Sequence, residues 1–244
     1  MHEFGLIGKN IDYSFSRNYF NEKFKKEQLT YSYVNFDIED IKEFPAILKD
    51  NPQLQGLNVT IPYKESILTY LDELSKEAKS IGAVNTIKVL PDGKLIGHNT
   101  DYYGFQQSLK GLINSSHKAA LILGTGGASK AIEYALNDWG IQTKFVSRNA
   151  DKTTLCYADL NKEILNKHSI IVNTTPLGTY PNIDSFPPIP YSYLTANHLL
   201  YDLTYNPSQT VFMQKGLENN AQIVNGYDML IAQAEKAWEI WREK

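Results

Sequence analysis

Ala119-Ala120-Leu121-Ile122-Leu123-Gly124-Thr125-Gly126-Gly127-Ala128-Ser129 joins an uninterrupted apolar run to a glycine-rich turn, and Lys130–Trp139 after it reads as a helix. A strand that is apolar at every position is buried on both faces, as in the middle of a parallel sheet. The turn that follows suits a pyrophosphate. Glycine permits a tight bend and close backbone approach, and a helix N-terminus offers N–H groups and a positive dipole end. The third position of the G-x-G-x-x-G pattern is Ser129 rather than Gly or Ala. A plain glycine turn in a βα loop is the competing reading, and the strand before and helix after weigh against it.

The next strand, Thr143–Ser147, ends in Ser147-Arg148-Asn149. An NAD site usually places an acid there to accept from the ribose 2′-hydroxyl. No acid is present, and Arg148 offers a planar donor fork suited to a phosphate dianion. The cofactor expected is therefore NADP rather than NAD. Two further apolar strands, Ser169–Asn173 and Leu199–Leu203, continue the same alternation.

Upstream, strands are expected at Phe4–Gly8, Tyr31–Phe36 and Gly56–Ile61, with helices at Ser16–Lys26 and about Ile38–Asp50. Asp92-Gly93 between Thr86–Leu90 and Lys94–Gly97 is a hairpin signal. Pro62 suits the first position of a helix, which Ile67, Leu68, Leu71 and Leu74 would continue at helical spacing. Asp101–Ile113 reads as a helix with Phe105, Leu109, Leu112 and Ile113 on one face, and a domain boundary is expected near residues 100–116. The final helix, Tyr227–Trp241, carries Leu230, Ala234, Ala237 and Trp241 on one stripe. Helices alternating with mostly parallel strands give an α/β fold class.

Two ionisable residues stand out. Lys64 follows Asn58-Val59-Thr60-Ile61-Pro62-Tyr63. In the first turn of a helix its cation would face the positive dipole end, unfavourable by roughly 0.3–1 kcal/mol and worth less than about one pKa unit. Burial would have to supply the rest of a shift toward the range where lysine works as an acid or base. Asp101 opens a helix after Asn99-Thr100, where a capping or first-turn acid is the ordinary role. Their sequence separation leaves open whether the two side chains meet.

Composition limits the function classes. The 244 residues carry 24 Lys and Arg against 27 Asp and Glu, a formal charge of −3, so no basic excess points to nucleic acid or an anionic membrane. With 42% hydrophobic residues the chain is globular rather than disordered. The lone Cys156 allows no internal disulfide, which fits a reducing cytoplasm, and no signal peptide or spanning segment is expected. The five histidines show no ligand spacing, so no metal is expected.

Taken together, eight segments in order resemble the shikimate dehydrogenases: Ser14-Phe15-Ser16; Asn58 to Lys64; Gly82-Ala83-Val84-Asn85-Thr86; Asn99-Thr100-Asp101; Gly124 to Ser129; Asn173-Thr174-Thr175-Pro176-Leu177-Gly178; Tyr201-Asp202-Leu203-Thr204-Tyr205-Asn206-Pro207; and Gly226 to Leu230 with Gln233. The resemblance implies an N-terminal α/β substrate domain, a Rossmann-like NADP domain and a C-terminal helix returning to the first, with the active site in the cleft between. In residues this is 1–101 and 226–244 for the substrate domain and 102–225 for the NADP-binding domain. It implies reduction of 3-dehydroshikimate to shikimate with NADPH on the route to chorismate and aromatic amino acids, in the cytoplasm, by a monomer or homodimer.

By position in the motifs, Lys64 and Asp101 would be the catalytic pair. Ser14, Ser16 and Tyr205 would hold the substrate carboxylate, and Thr60, Asn85, Asp101 and Gln233 the ring hydroxyls. Gly124, Thr125, Gly126, Gly127, Ala128, Ser129, Arg148, Thr174, Leu203 and Gly226 would bind the cofactor. Departures from the family pattern are Asn10, Arg17 and Phe20 in place of Pro, Pro and His, and Thr179 in place of a frequent Met. Competing assignments are a quinate/shikimate dehydrogenase using NAD and a non-catalytic NADP- or metabolite-sensing module.

Overall fold

Apolar strands alternate with helices along the chain and gather into two six-stranded sheets. The computed structural model describes residues 2–12, 14–149 and 151–243. The chain divides into two compact units: Met1–Thr100 with Ala234–Lys244, and Asp101–Gln233.

The first unit contains β1 (His2–Gly8), α1 (Phe15–Lys26), β2 (Tyr31–Asp37), α2 (Phe44–Asp50), β3 (Leu54–Val59), β4 (Glu73–Leu74), α3 (Lys76–Ile81), β5 (Thr86–Val89) and β6 (Leu95–His98). Its sheet runs β2-β1-β3-β5-β6-β4. Strand β1 pairs in parallel with β2 and β3, whereas β5 runs antiparallel to both β3 and β6. The hairpin expected at Asp92-Gly93 is present, with Gly93 at φ 87° and its N–H on the Leu90 carbonyl. That positive φ is the left-handed residue that ends a three-residue hairpin loop.

The second unit contains α4 (Asp101–Ser108), β7 (Ala119–Leu123), α5 (Gly127–Asp138), β8 (Gln142–Ser147), β9 (Thr154–Cys156), α6 (Lys162–Lys167), β10 (Ile170–Asn173), β11 (Leu199–Asp202), α7 (Val211–Leu217) and β12 (Gln222–Val224), and the start of α8 (Tyr227–Arg242). All its strands are parallel, in the order β12-β11-β10-β7-β8-β9. Counted along this unit, that is the 3-2-1-4-5-6 order of a Rossmann fold, read from the far edge. Strand β7 lies at its centre and is buried throughout, as its all-apolar sequence requires.

The C-terminal half of α8 belongs to the first unit. Ala234, Ala237, Trp238 and Trp241 pack with Phe4, Phe20, Phe24 and Tyr33 in one aromatic core. Gly56 in β3 leaves room for the Trp241 indole, where a Cβ would collide. The indole N–H donates to the Ile87 carbonyl at 2.9 Å, and Lys23 pairs with Glu235 at 2.9 Å.

Some expectations about local structure fail. No helix starts at Pro62: residues 61–65 form turns, and a 3-10 turn runs only from Ser66 to Tyr70. The Tyr63 N–H bonds back to Thr60, and the Tyr63 side chain is drawn into the core, its hydroxyl donating to the Ile38 carbonyl at 2.7 Å. Leu74 is in a strand, and Ile61 is 72% exposed rather than inward like Leu57 and Val59. The helix from Asp101 stops at Ser108, because Leu112 is exposed and Gly111 adopts φ 86°. The segment Ile38–Asp50 is a 3-10 turn, Ile41–Glu43, capped by Asp40 before α2 begins.

Candidate active site

The glycine turn leaves the carboxyl end of β7 beside β10, the point where strand order reverses and ligands bind in open parallel sheets. Gly124 adopts φ 108°, and a Cβ there would lie 2.8 Å from Thr174 Oγ1. A Cβ on Gly126 would meet nothing within 4 Å, so backbone is open to a ligand at that residue. Gly126 is the N-cap residue of α5, in extended conformation. Ser129, where the motif has Gly or Ala, is fully buried, and its hydroxyl turns back onto the Gly126 carbonyl at 2.6 Å. It thus fits the close-packed position without crossing the turn. This cradle fits a dinucleotide pyrophosphate.

Arg148 is exposed just past β8. Ser147 Oγ accepts from the Asn149 N–H at 3.1 Å and donates to the Asn149 carbonyl at 2.6 Å, which folds the chain tightly around the arginine. The Cys156 thiol lies 3.5 Å from the Arg148 carbonyl.

The turns after β10 and β11 are held by buried polar groups that the sequence reading did not assign. Asp202 is fully buried and accepts from Thr210 Oγ1 at 2.6 Å, the Thr204 N–H at 3.0 Å and Asn173 Nδ2 at 3.1 Å. Burial raises its carboxyl above the usual range, against the pull of those donors. Thr174 Oγ1 donates to the Leu123 carbonyl at 2.7 Å, and the Leu203 N–H donates to the Asn173 carbonyl at 3.0 Å. Gly226 packs against the Leu203 backbone with no space for a Cβ. Tyr205 is half-buried in the same turn. Asp101, the first residue of α4, is 2% exposed. Gln233 closes this unit on α8, where a Cβ on Gly104 of α4 would stand 3.1 Å from it.

In the first unit a chain of neutral polar groups runs between strand ends. Tyr33 donates to Asn58 Oδ1 at 2.7 Å, and Asn58 Nδ2 donates to Thr86 Oγ1 and the Asn85 carbonyl, both at 3.2 Å. Asn85, 2% exposed, accepts from the Thr100 N–H at 2.7 Å and donates to Thr100 Oγ1 at 3.0 Å. Burial raises the Tyr33 phenol well above its ordinary pKa, opposed by a hydrogen bond from Ser16. Ser14 is the N-cap residue of α1 and makes no side-chain capping bond, and Ser16 lies in the helix's first turn. Lys64 is half-buried in a turn, its carbonyl fixed by the Val84 N–H at 2.8 Å, and Thr60 is half-buried just before it. No α-helix begins at Lys64, so its side chain does not sit in the first turn of a helix as the sequence suggests.

The departures near residue 10 now have a physical reading. Asn10 sits at φ 56°, and its N–H bonds Asp37 Oδ1 at 2.8 Å. Proline could adopt neither that φ nor that bond. Arg17 reaches the Asp12 carbonyl at 2.9 Å. Phe20 is buried and stacks on Tyr33 at 4.7 Å, and Asn21 clasps the Tyr33 backbone from both sides.

An all-parallel sheet in Rossmann order, with a glycine turn at its switch point, defines a protein of the dinucleotide-binding α/β class carrying a second α/β unit. Comparison with known proteins narrows that class. A family model described as the shikimate dehydrogenase substrate binding domain matches residues 6–87. A shikimate dehydrogenase (NADP(+)) of Clostridium botulinum strain Hall is 41% identical, the match covering 99% of this chain and 96% of that protein. The crystal structure of shikimate dehydrogenase 1 from Peptoclostridium difficile superposes with a TM-score of 0.86 at 40% identity, covering 99% of this chain and 92% of that one. The Thermus thermophilus enzyme in complex with NADP(H) and shikimate gives 0.87 at 29% identity, covering 99% and 94%. The chain belongs to the shikimate dehydrogenase family.

Proposed function

We propose that this chain reduces 3-dehydroshikimate reversibly to shikimate with NADPH, a step toward chorismate and the aromatic amino acids. The observation that carries the reading is 41% identity to an NADP(+)-dependent shikimate dehydrogenase along 99% of the chain, joined to a switch-point turn whose glycines leave space for a pyrophosphate. When bound, NADPH supplies the hydride that the carbonyl carbon receives.

The chain's own residues then have distinct tasks. Lys64, paired with Asp101, delivers a proton to the carbonyl oxygen and takes it back in the reverse direction. A general acid of this kind contributes about 10²–10⁴-fold. Ser14, Ser16 and Tyr205 donate hydrogen bonds from their hydroxyls to the ring carboxylate, and Thr60, Asn85, Asp101 and Gln233 match ring hydroxyls that both donate and accept. The Thr100–Asn85 hydrogen bonds hold one amide in a fixed orientation for that purpose. Gly124–Ser129, Thr174, Leu203 and Gly226 cradle the dinucleotide, and Arg148 takes the 2′-phosphate. Residues 1–101 and 226–244 form the substrate part and 102–225 the NADP part. The chain is proposed to act as a monomer or homodimer, in the cytoplasm.

Initial rates with shikimate or quinate, each with NADP⁺ or NAD⁺, test the reading. Shikimate with NADP⁺ is expected to be the fastest pair, and Lys64→Ala to lower kcat by about 10²–10⁴-fold with folding retained. Ligand binding without turnover would sink the enzymatic reading, and preference for quinate with NAD⁺ would sink the choice of substrate and cofactor. No helix among the described residues is long and apolar enough to cross a membrane.

A further inference from the structure

Asp202 ends β11, a strand whose four residues are all buried. Removing a carboxylate from water is costly unless it is hydrogen-bonded, and an apolar side chain of similar volume would often serve stability as well. What a leucine could not do is orient donors from separate segments. Asp202 Oδ1 takes the Thr204 N–H at 3.0 Å and Asn173 Nδ2 at 3.1 Å, and Oδ2 takes Thr210 Oγ1 at 2.6 Å. The three donors come from the turn after β11, the end of β10 and the cap of α7.

Each donor passes the constraint on. Asn173 Oδ1 accepts from the Thr175 N–H at 3.1 Å and its hydroxyl at 2.6 Å, and Asn173 Nδ2 also reaches the Leu177 carbonyl at 3.2 Å. Thr204 Oγ1 meets Thr179 Oγ1 at 3.0 Å, and the Thr204 carbonyl accepts from the Gly226 N–H at 3.1 Å. Thr179, a departure from the family pattern, is thereby part of the same array. Gly178, at φ 89°, brings the turn against Thr210, where a Cβ would lie 3.2 Å from Thr210 Cβ.

We infer that Asp202 is a positioning residue that sets dinucleotide affinity by locking the Thr174–Thr179 turn to the Leu203–Gly226 side of the sheet, with Thr179 as its outermost link. The inference rests on the reading above that Thr174, Leu203 and Gly226 hold NADP.

The test uses the full chain with Asp202→Ala, Asp202→Asn and Thr179→Val, reading NADPH affinity by fluorescence titration, KM for shikimate at saturating NADP⁺, and Tm. Asp202→Ala is expected to weaken NADPH binding about tenfold or more, the equivalent of one to two lost hydrogen bonds to a charge, with the shikimate KM within about twofold. Asp202→Asn is expected to stay within about threefold of wild type, because its oxygen keeps two donors and its amide can donate to Thr210, which accepts instead. Thr179→Val loses one neutral hydrogen bond and is expected to cost about two- to fivefold. A merely structural role would lower Tm and the active fraction while leaving the NADPH dissociation constant unmoved, and that result overturns the inference. So does an Asp202→Asn variant as weak as Asp202→Ala. If Asp202→Ala does not fold, unchanged NADPH affinity in Thr179→Val overturns it. A wild-type chain that binds NADPH but does not oxidise shikimate removes the reaction assignment and still leaves the titrations to decide this point.

Discussion

The two units bury polar groups in opposite ways. In the first, hydroxyls and amides satisfy one another from Tyr33 through Asn58 to Asn85 and Thr100. In the second, a carboxylate sits at the centre and three donors converge on it. Removing a matched pair from a neutral array leaves no charge behind, whereas a buried ion stripped of donors does. The contrast also separates tasks: the neutral array lies among the residues proposed for the ring hydroxyls, and the ionic one among the turns proposed for the dinucleotide.

The largest effect that would sharpen this contrast lies at the edge of the second unit. Arg148→Ala is expected to raise KM for NADP⁺ about 10–100-fold, from the loss of charge-assisted hydrogen bonds of ~1.5–3 kcal/mol. KM for NAD⁺ should move less than about twofold. Equal losses for both nucleotides would remove Arg148 from phosphate recognition. In the first unit, Asn58→Ala deprives the buried Tyr33 hydroxyl of its acceptor and is expected to cost about 1–3 kcal/mol of stability in urea unfolding. Adding Tyr33→Phe should restore part of that loss. A double variant no more stable than the single would break the claim that the neutral array is separable.

The smallest effect concerns acid. Burial lowers the pKa of His98 in the first unit and of His168 in the second. A histidine lowered in the folded state is more easily protonated when unfolded, so its contribution is fully present above the unfolded pKa near 6.5 and is lost as pH falls through the folded value. Melting temperature should fall on going from pH 7.5 to 5 by an amount that His98→Gln and His168→Gln each reduce, on the order of 1–2 °C apiece. Variants whose loss of Tm toward acid equals that of the wild type would contradict the burial of both rings.

These arrays also mark where the sequence is easy and hard to read. The second unit's centre is legible because a strand buried on both faces must be apolar throughout, and the glycines after Leu123 have few uses. Strand β9 and strand β12 are three residues each and carry polar residues, so no periodicity announces them. Pro62 misleads because a proline that starts a helix and one that sits in a turn look alike until the burial of Tyr63 is known. Tyr33 and Asn58 lie on strands separated by β1, and only the register of three strands brings their side chains together. Asp202 does leave a signal: an acid ending the apolar run Leu199–Tyr201, with threonines at 204 and 210 to receive it.

The way α8 is shared between the units has a consequence for how the chain is made. Asp101–Gln233 is continuous and can collapse as soon as it has left the ribosome, whereas residues 1–100 emerge first and wait. Their aromatic core lacks Trp238 and Trp241 until everything between has been translated. During that interval Phe4, Phe20 and Phe24 remain without their closing helix. Of the two units, the one whose synthesis begins earlier is therefore the last to be finished.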